Sequence, residues 1–367
     1  MKFVLSTIAG VESIAKKEIE RQWWKIEEVT DRLVTFSWWI ELMPRINLWS
    51  RVWNKLYLLL EEQNNVGDFD TLFNLIYSIN WKKYFKKDYP ILVKTSSTRS
   101  TLFSARTIQS LWKKAIVKKV VWEDSIMKED FNLENLEILI LIIDNRVRIL
   151  LNTSWNALHM RWYRIQAWEA PIKESLAAAM VFLSDWKFRE PLYDPFCGSW
   201  TIVIEALMIA KNIAPWLKRA FAYEKLWLID WETSENERIL ARSKTFDWEY
   251  IIFASDIDSK MIELAKENAI RAWLAWQINF EIKDFKQYLD MEIHWTLVSN
   301  PPYWERLKNE NLKSMYNNID KIFRINSKLS WWIISNFMEF DSLIKAEDYK
   351  KRKLYNGWEK CYFWRRK

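Results

Sequence analysis

Asn300, Pro301, Pro302 and Tyr303 form the most chemically informative run in the sequence. Successive prolines restrict the backbone, so the Asn300 side-chain oxygen and the Pro301 carbonyl oxygen keep set directions. Together they can accept both hydrogens of one exocyclic amine, while the Tyr303 ring offers a face for a base to stack on. The amine lone pair becomes nucleophilic without a strong base, because the proton leaves after attack. The run predicts catalysis on the amino group of a base, although an Asn-Pro turn alone is common.

A second run, Asp194 to Thr201, reads Asp-Pro-Phe-Cys-Gly-Ser-Trp-Thr and predicts a cofactor loop. Glycine in such a loop lets a ligand approach the backbone closely. The loop lacks the lysine of a phosphate-binding G-K-[ST] motif, so it does not indicate a nucleoside triphosphate. S-adenosylmethionine, with its sulfonium, amino-acid end and nucleoside, fits better. We expect the cofactor-binding residues here to be Asp194, Phe196, Gly198, Ser199, Trp200 and Thr201.

Two further carboxylates complete the predicted cofactor site. Asp256 is placed to accept both ribose hydroxyls, and Asp284 to accept from the adenine amino group. A dinucleotide site expects its acidic residue about 20 residues beyond the glycines, whereas Asp256 follows Asp194 by 62 positions across an insertion from Asn212 to Glu249. Each aspartate alone could equally be a helix cap or a solvated residue, so their shared position after strands carries the prediction.

The elements that must position these residues alternate between strands and helices. Predicted strands cover Pro191 to Asp194, Tyr250 to Ser255, Ile278 to Ile282 and Thr296 to Ser299, and predicted helices cover Thr201 to Lys211 and Ser259 to Ala272. This alternation predicts a parallel sheet covered on both faces. Ligands of such sheets bind beyond the carboxyl ends of the strands, where the candidate residues fall.

The first half of the chain predicts an α+β region with basic helices. Expected elements are a helix from Val11 to Arg21, strands at Ile91 to Lys94, Leu136 to Ile143 and Val147 to Leu151, and a helix from Thr107 to Val121. Clustered cations release counterions from nucleic acid, which makes a nucleic acid the expected partner, although a lysine-rich helix can also be a merely solvated face. The candidate RNA-binding residues are Arg99, Arg106, Lys113, Lys114 and Lys118.

Composition narrows the class further. The 367 residues carry a net charge of +7, which permits an anionic partner. Two cysteines predict no disulfide framework and a reducing compartment, and two histidines make a zinc site or a Ser-His-Asp triad unexpected. The start of the chain lacks the basic region that precedes the apolar part of an export signal, and its longest apolar run, Ile138 to Ile143, is too short to span a membrane. We expect a soluble, cytoplasmic protein without a metal.

The tryptophan and glycine counts are abnormal. The sequence has 26 Trp and 4 Gly, whereas an ordinary domain of this length has about 26 glycines. One explanation is a UGA codon that the source lineage reads as glycine and that translation software renders as Trp. The alternative is a truly tryptophan-rich protein. A Trp at position 200 would fill space that the cofactor needs.

With these runs in hand, the sequence resembles the THUMP-domain class I methyltransferases, most closely the bacterial 23S ribosomal RNA guanine-N2 methyltransferases of the RlmL type. The resemblance covers nearly the whole chain and is densest at residues 158–164, 170–179, 194–199 and 300–306. It implies a ferredoxin-like part at 1–50, a THUMP RNA-binding domain at 51–155, and a Rossmann-like S-adenosylmethionine-dependent domain at 156–367. Some relatives fuse a second methyltransferase domain; this chain ends after the first, so we expect one activity.

Departures from the family pattern favour misread glycines. The family has glycine where this sequence has Trp155, Trp162, Trp200, Trp273, Trp295 and Trp304, yet it has tryptophan at Trp49, Trp81 and Trp186. Substitution is therefore confined to glycine sites, as codon reassignment requires.

Three other functions stay open at this point. A tRNA guanine-N2 methyltransferase shares the architecture and the Asn300 to Tyr303 run. A DNA adenine or cytosine amino-methyltransferase would also suit that run, but the THUMP-like half counts against it. If Trp200 and Trp304 are real, a non-catalytic RNA-binding or assembly factor becomes the better hypothesis. The target nucleotide and the oligomeric state do not follow from the sequence.

Overall fold

The structure is a computed structural model that describes residues 1–22, 25–84, 90–121, 134–163, 172–198, 200–302, 309–345 and 348–366. It divides into two compact units. The first comprises residues 1–7, 16–158 and 216–241, and the second comprises residues 8–15, 159–215 and 242–367. Part of the predicted insertion therefore packs with the first unit. No helix in the described ranges has both the length and the apolar character needed to cross a membrane.

The elements up to residue 158 build one mixed sheet with helices. In chain order they are β1 Lys2–Thr7, α1 Glu12–Glu20, β2 Lys25–Thr30, β3 Leu33–Ser37, α2 Met43–Trp49, β4 Trp53–Gln63, α3 Phe69–Ser78, β5 Ile91–Thr98, α4 Ala105–Val121, β6 Leu136–Ile143 and β7 Arg146–Asn152. The strand order is β2-β3-β1-β4-β7-β6-β5. Only β5 and β6 pair in parallel, and the others pair antiparallel.

Local signals explain the borders of these elements. The predicted strand Leu136 to Ile143 is confirmed as β6, where apolar residues bury it between two neighbours. A turn at Asp144 and Asn145, both with positive φ, reverses the chain into β7. Helix α4 starts two residues before the predicted Thr107, because the Ser104 hydroxyl accepts from the Thr107 amide at 3.4 Å and caps it.

The later elements build the second sheet. In chain order they are α5 Glu174–Ser184, β8 Leu192–Asp194, α6 Thr201–Ala210, α7 Trp231–Ser243, β9 Ile252–Asp256, α8 Ser259–Arg271, β10 Ile278–Ile282, β11 Trp295–Ser299, α9 Asn309–Ile325, β12 Leu329–Ser335, α10 Phe340–Leu343, β13 Lys350–Asn356 and β14 Glu359–Arg366. The strand order is β10-β9-β8-β11-β12-β14-β13. The four predicted strands are present, with β9 shifted to include Asp256 because it pairs in register with Ile282 of β10.

The predicted parallel arrangement holds for five strands. Strands β10, β9, β8, β11 and β12 pair in parallel, as the Rossmann-like prediction requires. Strand β14 then pairs antiparallel with β12, and Gly357 at φ 67° lies in the hairpin turn that pairs β13 antiparallel with β14. Helix α6 is buried at all ten positions, and aromatic residues including Tyr316, Trp331 and Trp364 fill the core beside β11 and β12. The carboxyl ends of β8 to β12 therefore all lie on the same side of the sheet.

Candidate active site

Asp194 lies at the point where the strand order of the second sheet reverses. Strand β8 ends at Asp194, with β9 on one side and β11 on the other. The chain fills β8, β9 and β10 outward in one direction and then β11 and β12 in the other. A crevice forms beyond the strand ends at such a point, and ligands of open α/β sheets bind there.

The carboxyl group of Asp194 is buried and only half satisfied. Its Oδ1 accepts from the Phe196 amide at 3.3 Å and from the Ser299 hydroxyl. Its Oδ2 is buried without a hydrogen-bond partner in the described ranges. The pKa of Asp194 is raised to about 7, chiefly by burial and to a smaller extent by the charge of Asp256, although hydrogen bonds from Ser299 and Phe196 act to lower it. An oxygen left in this state fits a ligand that brings a cation or a donor, such as the ammonium group of an amino-acid end.

Asp256 is joined to the same loop. Its Oδ2 accepts from the Gly198 amide at 3.0 Å, and its Oδ1 accepts from the Asp258 amide at 3.0 Å. Burial raises the pKa of Asp256, while these backbone hydrogen bonds lower it. Gly198 has φ 48°, and a methyl group built on it would meet nothing within 4 Å. The loop therefore leaves room at Gly198 for a ligand to approach the backbone, as the predicted cofactor requires.

Asp284 follows β10 and also serves as a helix cap. Its Oδ1 accepts from the Lys286 amide at 2.9 Å, at the start of a 3-10 helix over Phe285–Asp290. That helix brings Phe285 against Phe196, with ring centroids 4.7 Å apart. Asp284 is half-buried, so capping uses one of its oxygens, and its role toward adenine stays a prediction.

Asn300, Pro301 and Pro302 leave the sheet directly after β11. Asn300 and Pro302 are half-buried and Pro301 is buried, while Tyr303 and Ser199 lie outside the described residues. Ser299, the last residue of β11, is fully buried and donates its hydroxyl hydrogen to Asp194. This hydrogen bond ties the predicted catalytic run to the predicted cofactor loop. Sequence reasoning missed Ser299, whose only signal was its place before Asn300.

Asn336 is a second residue that sequence reasoning missed. Strand β12 lies beside β11 in parallel, with Ser299 opposite Ile333, so Asn336 leaves the sheet at the level of Pro302. Its Oδ1 is buried without a hydrogen-bond partner in the part of the chain that the structure describes. A cavity of about 230 Å³ opens against it, lined by Asn336, Phe337, Met338 and Glu339. An amide at this place can hydrogen-bond the edge of a base.

A buried ion pair supports the loop from behind. The Arg161 Nε donates to Glu205 Oε1 at 3.0 Å, and the Tyr163 hydroxyl donates to the same oxygen at 2.9 Å. The side chains of Arg161 and Glu205 are both 0% exposed. Glu205 lies in α6, the helix that follows the cofactor loop. The sequence signal for this pair is the single glutamate in an otherwise apolar helix, because a buried carboxylate requires a cationic partner.

The comparisons with known proteins agree with this geometry. The profile of the RMKL-like methyltransferase domain matches residues 161–364, more than half of the chain. The chain belongs to the RMKL-like methyltransferase family. Profiles of the RlmL ferredoxin-like domain and the THUMP domain match residues 2–57 and 66–150. This methyltransferase therefore has the domain set of RNA methyltransferases of the RlmL type, and its family uses S-adenosylmethionine.

Three relatives illustrate the match. The protein described as "Putative RNA methyltransferase YpsC" from Bacillus subtilis (strain 168) is 33% identical over 362 residues, covering 97% of this chain and 93% of the relative. The crystal structure of "a possible methylase from Clostridium difficile 630" superposes with a TM-score of 0.92 at 33% identity, over 99% of this chain and 97% of that one. The structure of "SMU.472, a putative methyltransferase complexed with SAH" gives a TM-score of 0.90 at 32% identity, over 99% and 97%.

Four tryptophans of this RMKL-like methyltransferase occupy backbone positions that suit glycine. Trp155, Trp200, Trp273 and Trp295 have φ values of 60°, 71°, 63° and 86°. A bulky residue in this left-handed region is a genuine outlier. All four belong to the six positions where the family pattern has glycine; Trp162 does not share the conformation, and Trp304 lies outside the described residues.

Trp200 is the tryptophan that bears on the cofactor loop. It is fully buried directly before α6, and its ring centroid lies 3.7 Å from that of Phe280. Trp81 behaves differently, since it has no positive φ and its Nε1 donates to the Ile76 carbonyl at 3.0 Å. Trp186, another tryptophan that the family pattern keeps, donates to the Glu190 carbonyl at 2.8 Å.

The predicted RNA-binding residues of the methyltransferase separate into two groups. Arg99 forms a two-pronged ion pair with Asp144, at 2.6 and 2.8 Å, so its guanidinium already has an anionic partner. Arg106, Lys114 and Lys118 are exposed on α4, and the Lys113 side chain lies outside the described residues. The structure therefore places four of the five in α4, three of them with described, exposed side chains, and pairs the fifth, Arg99, with Asp144.

Proposed function

We propose that this protein transfers a methyl group from S-adenosylmethionine to the exocyclic N2 amine of a guanine in 23S ribosomal RNA. The observation that carries the proposal is the hydrogen bond from Ser299 to Asp194. It holds the amine-presenting run and the half-satisfied carboxylate at neighbouring strand ends, so that a nucleophile and a cofactor can meet in one crevice.

The residues of the loop fit the cofactor in separate ways. Asp194 offers its buried Oδ2 to the ammonium of the amino-acid end, and Gly198 leaves the backbone open. Asp256 and Asp284 would accept from the ribose hydroxyls and the adenine amino group. Phe196, packed on Phe285, and Thr201, the first residue of α6, would line the same site. The bound cofactor supplies an electrophilic methyl group on a sulfonium.

The catalytic run prepares the amine. Asn300 and Pro301 accept the two hydrogens of the guanine amino group, which takes the nitrogen lone pair out of conjugation with the ring. Pro302 restricts the backbone, and Tyr303 would stack on the base. The new N–C bond forms as the C–S bond breaks, and the surplus proton on the nitrogen then passes to water. Positioning replaces a strong base in this scheme.

RNA is the substrate class that the rest of the chain favours. The THUMP domain match and the relative described as an RNA methyltransferase both support it. The cations of α4 supply the charge that a phosphate backbone requires. Ribosomal RNA follows from the resemblance to the RlmL type, whose ferredoxin-like domain matches residues 2–57.

We further propose that the active protein carries glycine at Trp155, Trp162, Trp200, Trp273, Trp295 and Trp304. Positive φ at four of these positions supports this, because glycine adopts that conformation without steric cost. In the gene, the codons at 200 and 304 should be UGA, and those at 49, 81 and 186 should be UGG. A UGG codon at position 200 would contradict the proposal.

Cofactor binding tests the identity of residue 200 directly. We expect calorimetry with S-adenosylhomocysteine to detect binding to Trp200→Gly and none to the chain with Trp200, because we expect the cofactor to need the space that a tryptophan at this position fills. Trp81→Gly is the matched control; it should lower the melting temperature, since Trp81 is buried and hydrogen-bonded. Equally tight binding by both residue-200 forms would contradict the reassignment, and binding by neither would contradict the cofactor assignment.

The methyl-transfer assay tests the function itself. The glycine-bearing protein is incubated with unmodified 23S rRNA and labelled cofactor, and the RNA is digested to nucleosides. We expect N2-methylguanosine; methyladenosine alone would overturn the proposal. Unmodified tRNA competes in a parallel reaction, and preferential labelling of tRNA would replace the ribosomal substrate. Asn300→Ala should lower the rate about 100-fold or more while keeping affinity for S-adenosylhomocysteine.

A further inference from the structure

We propose that Phe103 and the exposed cations of α4 form a docking surface for single-stranded RNA, with an unpaired base stacked on the Phe103 ring. The proposal rests on RNA as the substrate, but not on which base is methylated. Phe103 is 82% exposed, and it is a large apolar side chain in the loop between β5 and α4. Exposing the apolar Phe103 ring to water is unfavourable, and the residues around it indicate what could cover it.

The loop holds Phe103 in a fixed position. The preceding residue, Leu102, is buried and its carbonyl accepts from the Ser97 hydroxyl at 2.6 Å. The following residue, Ser104, caps α4 through the Thr107 amide, and the two hydroxyl oxygens lie 2.7 Å apart. Anchors on both sides mean that little conformational entropy is lost when a ligand covers the ring.

A second set of hydrogen bonds ties the loop to the body of the unit. The Thr101 hydroxyl donates to the Gly67 carbonyl at 2.8 Å, and the Thr101 amide donates to Asn145 Oδ1 at 3.1 Å. The Ser100 hydroxyl donates to the same Asn145 oxygen at 2.6 Å. The ring is therefore presented by a braced segment, as a stacking platform must be.

The positive charges on α4, the helix that follows Phe103, indicate which kind of ligand would bind this surface. Arg106, Lys114 and Lys118 recur at helical spacing on the exposed face of α4, opposite the buried Ile108, Trp112, Ala115 and Ile116. From Arg106 to Lys118 the helix rises about 18 Å. The sequence of α4 contains no acidic residue. Such a face suits a polyanion better than an apolar protein surface.

Stacking and charge together favour an unpaired strand. A base stacked on an aromatic ring contributes about 1–3 kcal/mol and requires no particular base identity. Bases inside a duplex already stack on each other and offer no free face to Phe103. The cations then follow the backbone of the same strand. Lys119 belongs to a different environment, because its ammonium lies over the Tyr77 ring at 4.6 Å.

Binding measurements without cofactor test the surface separately from methyl transfer. Fluorescence anisotropy is measured on the full chain with a labelled single-stranded RNA oligonucleotide and with its duplex. We expect Phe103→Ala to weaken single-strand binding about 5- to 100-fold and to leave duplex binding unchanged, and Phe103→Trp to restore it. Lys114→Ala and Lys118→Ala should each lower the salt slope of log Kd by about 1. Val29→Ala and Lys25→Ala, on edge strand β2 across the sheet, are the matched controls and should change neither.

Two results would overturn the inference. One is single-strand affinity that Phe103→Ala leaves intact, or that falls equally for strand and duplex while the variant melts normally. The other is a shift from dimer to monomer in Phe103→Ala by light scattering, which would make the ring a contact between copies of the chain. Normal stacking together with a product other than N2-methylguanosine would overturn the proposed function alone.

Discussion

Buried carboxylates are treated differently in the two sheets. In the first sheet, Glu137 accepts from Lys55 Nζ at 2.7 and 2.8 Å and from Lys94 Nζ at 2.6 Å. Burial raises its pKa, but the hydrogen bonds and charges of both lysines outweigh burial and lower it overall. In the second sheet, Asp194 has a raised pKa and no cationic partner in the described ranges. The charge of Glu137 is therefore balanced by two lysines, whereas no described cation balances the charge of Asp194.

The same contrast recurs in a second pair of sites. Glu28 and Glu62 lie between Arg146 and Arg148, and these arginines lower the pKa of both glutamates against the opposing effect of burial. In the part of the chain that the structure describes, Asp256 accepts hydrogen bonds from backbone amides, and burial raises its pKa. Glu28, Glu62 and Glu137 thus have cationic partners, whereas in the described ranges Asp194 and Asp256 do not, a pattern typical of carboxylates in a ligand site.

Substitution of Glu205 should lower the free energy of unfolding more than the other changes. Glu205 belongs to the second unit but has a cationic partner, so its substitution tests whether pairing is what makes a carboxylate structural. Glu205→Gln removes the carboxylate that accepts hydrogen bonds from the buried Arg161, so we expect about 3–5 kcal/mol less free energy of unfolding by chemical denaturation. The double variant Arg161→Met, Glu205→Leu should recover part of that loss. A Glu205→Gln protein that is as stable as the parent would show that pairing with Arg161 does not make this carboxylate structural.

Asp194→Asn should separate binding from stability. We expect affinity for S-adenosylhomocysteine to fall about 10- to 100-fold, because a charge-assisted hydrogen bond contributes about 1.5–3 kcal/mol. Stability at pH 8 should not fall, since the variant removes a buried charge. Glu137→Gln is the matched control; it should lower the free energy of unfolding by about 1–3 kcal/mol and leave cofactor affinity unchanged. The reverse pattern would show that Asp194 is a structural residue.

The smallest expected effects are the changes with pH in cofactor affinity and stability that arise from Asp194 and Glu137. Since the pKa of Asp194 is raised from 3.8 to about 7, its contribution to stability is present below pH 3.8 and is lost as pH rises through 7. A cationic ligand requires the ionised form, so affinity should fall up to about tenfold per pH unit below 7. Calorimetry between pH 5.5 and pH 8 measures this slope, and Asp194→Asn should flatten it.

In the first sheet, the contribution of Glu137 to stability changes with pH in the opposite direction. Because the pKa of Glu137 is lowered, its contribution to stability is present above the ordinary value of 4.5 and is lost as pH falls through the lower folded-state pKa. Acid unfolding of Glu137→Gln should therefore depend less on pH than that of the parent in this range. Equal pH slopes for the two proteins would contradict the assignment.

Alternating strands and helices were enough to predict which residues meet at the edge of the second sheet. Asp194, Asp256, Asp284 and Asn300 each end or follow a strand, and the parallel order brings those ends together. The predicted helix after the cofactor loop is confirmed as α6. These features follow from local periodicity, which the sequence carries directly.

Contacts between distant residues could not be read in the same way. The hydrogen bond from Ser299 to Asp194 joins residues 105 positions apart, and the Arg161 pair joins residues 44 apart. Neither separation leaves a periodic signal. The packing of residues 216–241 with the first unit is likewise a tertiary choice. The tryptophans are the exception, because composition and family pattern indicated glycine at six positions, four of which have positive φ in the structure.

The central claim is that Asn300 and Pro301 present the N2 amine of guanine to the cofactor. The most direct measurement compares methyl incorporation into a 23S rRNA transcript with incorporation into the same transcript made with inosine in place of guanosine, which lacks that amine. Anisotropy first confirms that the protein binds both RNAs. We expect stoichiometric methylation of the guanosine transcript and none of the inosine transcript. Equal incorporation into both would contradict it.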